Sequence, residues 1–309
     1  MINTIKFAHS APSHPPIRSG HQAVNRVLWQ VLGLNVLVAG AKLIVGLLTG
    51  SISMVADGFH STMDASSNII GLIGSTIAGH PPDDNHPYGH QKYETFATLG
   101  IGLLLLLTSW NVLKSILTRL VEGGTPEITV MSFAVMIITI GINLIVVAYE
   151  KRQGYQLKSS LLLADAAHTK SDIFVSLSVL TSLVAVKMGW VWIDVAVAVI
   201  IVLVIGHAGW RIVRRASDVL ADKAVIDEAL VEKVALSVKG VQSCHKIRSR
   251  GTDQATHLDL HIQVNGQMML EAAHLIGHTT QDRLEKELGV TDVLVHVEPV
   301  EEETLYSNK

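Results

Sequence analysis

Six long apolar runs fill the first two thirds of the chain and leave it few ways to fold. They lie at about 27–48, 52–78, 96–120, 131–149, 161–188 and 190–212. Each is close to the roughly 20 residues an α-helix needs to cross a bilayer core. Hydrocarbon offers backbone amides no water, so a run of this length must satisfy them internally, and the pattern predicts six transmembrane helices. Composition agrees, with 49% hydrophobic and 17% charged residues among 309, against roughly 25% charge in an average soluble domain. The first run follows a Pro/His/Ser-rich polar stretch, 8–22, with no small-residue cleavage site, so it is expected as a retained helix and not a signal peptide.

Six spans place both termini on one side. Lys6, Arg18, Arg26, Lys92, Lys151, Arg152, Lys158, Arg211, Arg214 and Arg215 flank that side, against Lys114, Arg119 and Lys187 on the other, which makes both termini cytoplasmic by the positive-inside rule. Past Arg215 charges become frequent and no run is long enough to span. The remaining roughly 90 residues suffice for a separate core. Their pattern predicts a helix at 225–238, strands at 242–248 and 256–264, a helix at 270–288 and a strand at 291–298. Leu258, Leu260, Ile262 and Val264 alternate with His257, Asp259, His261 and Gln263, as in a strand with one apolar face. The expected organisation is a flexible cytoplasmic tail over 1–22, a six-helix membrane domain over 23–216, and a cytoplasmic αββαβ domain over 217–309. The last is a small α+β sheet with two helices on one face, ferredoxin-like or metallochaperone-like.

The net charge of −3 and the lack of basic runs interleaved with aromatics exclude nucleic acid as an obvious partner. Cys244 is the sole cysteine, so there is no internal disulfide and no Cys-x-x-Cys pair. Histidine is unusually abundant, at 15 residues. Their positions carry the functional reading.

Helix two reads Ala56-Asp57-Gly58-Phe59-His60-Ser61-Thr62-Met63-Asp64 and helix five reads Ala164-Asp165-Ala166-Ala167-His168-Thr169-Lys170-Ser171-Asp172. The pattern ADxxHxxxD thus occurs twice. Positions i, i+3 and i+7 share one helix face, giving each helix a stripe of two carboxylates and one imidazole. Ionisable groups at bilayer depth cost roughly 2.5–3.5 kcal/mol each on the insertion scale and persist mainly beside a cavity or a partner. Facing one another, His60, Asp64, His168 and Asp172 offer two nitrogens and two oxygens, a set suited to tetrahedral Zn²⁺. The alternative is two polar faces bonded for packing. Asp57 and Asp165 either line the two approaches to that site or bridge neighbouring helices.

A Pro/Gly-rich cytoplasmic loop follows helix two, with Asp83, His86 and His90 at zinc-ligand spacing. The soluble domain holds His245, His257, His261, His274, His278 and His296, with Glu298 beside the last. A metal site between two copies of the domain accounts for this concentration, whereas His257 and His278 read as solvated. Lys42, near the outer end of helix one, is placed to snorkel; neither it nor Asp194 nor His207 is assigned a role.

With its segments SISMVADGFHSTMD, DDNHPYGHQKYE and DAAHTKSD and a histidine-bearing αββαβ domain in that order, the chain resembles the cation diffusion facilitator family of metal efflux transporters over about 24–300. The resemblance implies a Y-shaped homodimer in a bilayer, a bacterial inner membrane here, exchanging cytosolic divalent metal for protons. It implies transport-site ligands at His60, Asp64, His168 and Asp172 and a second site at Asp83, His86 and His90. It also implies a cytoplasmic binuclear centre at His245, His261, His274 and His296, with Glu298 where aspartate is commoner. A neck salt bridge is implied at Lys92 and Asp218. Two imidazoles in the transport site favour Zn²⁺ as substrate and as the ion of the cytoplasmic domain, with Fe²⁺, Mn²⁺, Co²⁺, Cd²⁺ and Ni²⁺ as lesser candidates. No enzyme is expected. An intramembrane metalloprotease would need HExxH, which is absent. A membrane-anchored metal sensor would need the soluble site but not the intramembrane ligands.

Overall fold

The computed structural model describes residues 17–49, 52–122, 130–187, 191–252 and 254–300. It divides into two compact units, Met1–Trp210 and Arg211–Lys309.

Six long helices build the first unit: α1(Ile17–Thr49), α2(Ile52–Ala78), α3(Lys92–Glu122), α4(Val130–Gln156), α5(Ser160–Lys187) and α6(Val191–Leu220), the last continuing past the unit boundary. On α1 a stripe at helical spacing, His21, Val24, Leu28 and Val31, is buried, while Trp29, Leu37 and Ile44 point outward. An apolar exterior of this kind suits lipid. Helix α2 is central, lying against α1, α3 and α5, and α4 packs on α1 and α5. Where α2 meets α3, a Cβ built on Gly74 would lie 2.3 Å from the Ala97 Cβ, so a glycine is needed for the two backbones to approach this closely.

The six expected spans meet a narrower finding. Among the described residues four stretches are long and apolar enough to cross a membrane: Gly20–Leu48, Lys92–Thr118, Phe133–Gln156 and Ala196–Leu220. In α2 the apolar stretch is the shorter Ala65–Ala78. Helices α2 and α5, which carry the duplicated ADxxHxxxD pattern, include side chains that lie outside the described residues. The protein is an integral, multi-pass membrane protein.

The second unit contains α7(Glu228–Leu236), β1(Ser243–Thr252), β2(Ala255–Val264), α8(Leu270–Leu288) and β3(Asp292–Pro299). Helix α7 starts three residues later than expected because Asp227 caps it, accepting from the Ala229 amide at 3.1 Å. The sheet order is β1-β2-β3, antiparallel between β1 and β2 and parallel between β2 and β3. A parallel pair needs a long crossover, and α8 supplies it. Gly289, at φ 65°, ends α8 in the left-handed conformation that a Cβ disfavours. Leu258, Leu260, Ile262 and Val264 from β2 pack with Val231, Val234, Leu284 and Val293 in a dry core. Their alternation sends the histidines of β2 to the opposite face.

Candidate metal centres

Strand register builds the first centre. His245 on β1 pairs with His261 on β2, which pairs with His296 on β3, so three imidazoles form one row across the sheet. A bulge follows His245, with Lys246 at φ 50°, and the ladder resumes at Arg248 opposite Asp259. Glu298, two residues beyond His296 and on the same face, gathers the row. Its carboxylate lies 3.1 Å from His245 Nε2, 2.7 Å from His261 Nδ1 and 3.6 Å from His296 Nε2. The hydrogen bond from His261 holds the Glu298 carboxyl below the usual carboxylate range, opposed by partial burial and aided by the charges of His261, Lys246 and His245. His274 is not part of this cluster: its Nε2 lies 3.1 Å from Nε2 of His278, one turn along α8. His257, expected to be solvated, meets Asp292 at 3.2 Å.

The second centre is the loop between α2 and α3. Asp83 folds it, its Oδ1 accepting the backbone amides of Asn85 at 3.0 Å and His86 at 2.7 Å. A turn over His86-Pro87-Tyr88-Gly89 closes with the Gly89 amide on the His86 carbonyl at 2.9 Å. Gly89 sits at φ 81°, so here glycine serves conformation and not space. The result brings His86 Nδ1 to 3.3 Å and His90 Nε2 to 3.4 Å from the Asp83 carboxylate. The His86 backbone amide, foremost, draws the Asp83 carboxyl below its ordinary value. Nδ1 of His90 is buried and meets no hydrogen-bond partner among the described residues.

Within the helical unit, His168 and Asp172 line a polar cavity with Asn35, Ser61, Thr139 and Asn143, drawn from α1, α2, α4 and α5. The side chains of Asp57, His60 and Asp64 lie outside the described residues. Asp165 is fully buried and accepts a short hydrogen bond from Asn68, which in turn accepts from Asn35 at 2.8 Å, tying α5, α2 and α1 together. Lys42 does not snorkel. It is 5% exposed and donates to Ser61 Oγ on α2 at 2.9 Å.

Two buried polar groups escaped the sequence reading. Glu94, in the first turn of α3, has one oxygen 3.4 Å from His21 Nδ1, while the other accepts from Ser159 Oγ at 2.6 Å. Glu150, fully buried on α4, accepts from Thr169 Oγ1 at 3.4 Å. For Glu150 a signal was available, since it is a carboxylate within an apolar span. Of the expected neck pair, Asp218 is bonded to Lys223 Nζ at 2.7 Å, and Lys92 opens α3.

Comparison with known proteins follows the same two-part division. Residues 28–221 match the cation efflux transmembrane domain, and residues 225–300 match the cation efflux protein cytoplasmic domain. The chain belongs to the cation diffusion facilitator family. It is 33% identical to the uncharacterized transporter MJ0449 of Methanocaldococcus jannaschii, over 86% of this chain and 95% of that one. It is 32% identical to the manganese efflux system protein MneS of Bacillus subtilis, over 86% and 92%. The cation-efflux pump FieF of Shewanella oneidensis is 30% identical, over 85% and 89%.

Members of this family are transporters, and their cargo must find ligands. Donor atoms on a tetrahedral zinc ion lie about 3.3 Å apart, from bonds of roughly 2.0–2.1 Å. The contacts at Asp83 and at Glu298 bracket that spacing. In each centre one carboxylate and at least two imidazoles place ligand atoms within 4.8 Å of one another. The donor chemistry fits a divalent transition metal in this cation diffusion facilitator.

Proposed function

We propose that the protein exports divalent metal, Zn²⁺ foremost, from the cytoplasm in exchange for protons, as a homodimer with both termini cytoplasmic. The family membership supports divalent cation efflux. The observation that carries the finer reading is the polar cavity holding His168 and Asp172 inside the helical unit. His60 and Asp64, on α2 one turn apart, complete a ligand set of two nitrogens and two oxygens on this reading.

Neutral imidazole and ionised carboxylate bind metal; protonated forms do not. A proton entering from the far side therefore competes with the ion for His60 and His168, and the two occupants exclude one another. That exclusion is the requirement of exchange. Alternation between inward-open and outward-open arrangements then couples the two flows. On the cytoplasmic face, residues 217–309 form the dimerisation domain. The centre at His245, His261, His296 and Glu298, joined by His274 of the second copy, binds zinc and senses cytosolic metal. The Asp83, His86 and His90 loop is a further cytoplasmic site.

A manganese reading is favoured by two relatives whose names record manganese efflux. Imidazole-rich coordination argues for zinc, since manganese takes harder oxygen sets. Flux into proteoliposomes decides. Zinc uptake should follow an imposed pH gradient, Mn²⁺ should move more slowly, and Asp172→Ala should cut zinc flux to the protein-free leak. Equal flux in the variant, or no gradient dependence, overturns the antiport assignment; faster Mn²⁺ flux overturns zinc.

A further inference from the structure

His80 is one of the histidines that neither the motif nor the family correspondence uses, and it stands beside the loop centre. It is the second residue beyond α2, with its amide on the Ile77 carbonyl at 3.0 Å. Its Nδ1 is also 3.0 Å from that carbonyl oxygen. A carbonyl only accepts, so Nδ1 carries the proton and Nε2 holds the lone pair. Metal-binding histidines are commonly prepared in this way, one ring nitrogen bonded to a backbone carbonyl and the other left to the ion.

The ring is well placed to use it. The His80 and His90 centroids are 5.9 Å apart at 63°, and those of His86 and His90 are 4.3 Å apart. Two imidazoles bound through nitrogen to one tetrahedral ion have centroids about 5 Å apart, given metal–nitrogen bonds of roughly 2.0–2.1 Å. The three rings thus bracket the spacing of a shared ion. His80 lies outside the set whose ligand atoms fall within 4.8 Å of one another, and being exposed it has room to turn toward that set. The loop as first read offers three ligands, Asp83, His86 and His90. Closed zinc sites have four.

We infer that His80 is the fourth ligand of the loop centre, making it a closed N₃O site for zinc or a similar divalent transition metal. This rests on the reading of the loop as a metal site. A full protein shell has no open position for water, which makes the loop a holding site and not a point of rapid passage. It also ties the end of α2 to the start of α3 through the ion, since His80 follows one helix and His90 precedes the other.

The test needs the full-length protein in detergent and zinc as the probe. Diethyl pyrocarbonate modifies accessible imidazoles, and mass spectrometry locates each adduct. Zinc should protect His80 together with His86 and His90. Protection of His86 and His90 with His80 modified at an unchanged rate overturns the inference and leaves the three-ligand site standing. No protection of any of the three overturns the loop site itself. A second readout uses Co²⁺ absorption in a chain carrying His168→Ala, Asp172→Ala, His245→Ala, His261→Ala and Glu298→Gln. Adding His80→Ala should weaken Co²⁺ binding at least about 10-fold, the lower end of the loss from disturbing a ligand's partner, and should diminish the intense tetrahedral bands. Unchanged affinity and spectrum refute the fourth ligand, whereas Asp83→Ala with unchanged binding refutes the site.

Discussion

At the scale of single residues, placement decides reactivity. Cys244 faces the core of the small sheet, where burial, and next the charge of Glu232, push its thiol up to about 11. A thiol held neutral is a poor nucleophile. Iodoacetamide at neutral pH should leave the native protein unlabelled and alkylate it once guanidinium has unfolded it, with intact mass as the readout. Rapid labelling of native protein would contradict the buried placement. The same contrast explains what single residues disclosed beforehand. The histidines of β2 and β3 were legible because alternation with Leu258, Leu260 and Val295 fixes their face. Glu94 was not, because an acidic residue in a helix's first turn ordinarily answers to the macrodipole and water. Its partners His21 and Ser159 lie 73 and 65 positions away in sequence, and nothing local announces such a meeting.

At the scale of elements, hydropathy locates the membrane but not the end of a helix. The boundaries of α2 and α8 coincide with the apolar and amphipathic patterns that predicted them. Helix α1 instead begins at Ile17 and α6 continues to Leu220, because helical periodicity persists where apolarity stops. Contact between elements is similarly invisible until the chain is folded, and Gly74 is its clearest case. Gly74→Ala would force the added methyl into Ala97 and the Tyr93 carbonyl, at 2.3 and 2.9 Å. Overpacking of this kind costs about 1–3 kcal/mol. Gly33→Ala, with nothing within 4 Å of its added Cβ, is the matched control. Thermal melts in detergent should show a lower midpoint for the first variant alone; coincident melts would mean that α2 and α3 do not approach so closely.

At the scale of the whole molecule, two units with separate cores imply that metal can act on one without the other. A ligand bound only by the folded state stabilises it by about 2.7 kcal/mol at one hundred times its dissociation constant. With the loop and transport ligands substituted, zinc should raise the calorimetric midpoint of the cytoplasmic unit and leave that of the helical unit in place. Adding His245→Ala and Glu298→Gln should remove the rise. A rise that survives those substitutions would place the bound zinc elsewhere.

The parallel partnership of β2 with β3 also has a bearing on how the protein is made. His245 and His261 emerge early in the domain, but the carboxylate that gathers them belongs to the last element of the fold. A nascent or truncated chain that stops before Asp292 carries His245 and His261 without His296 or Glu298. The sheet-face centre is therefore completed only by the last strand, whereas the loop centre is complete in the chain by His90.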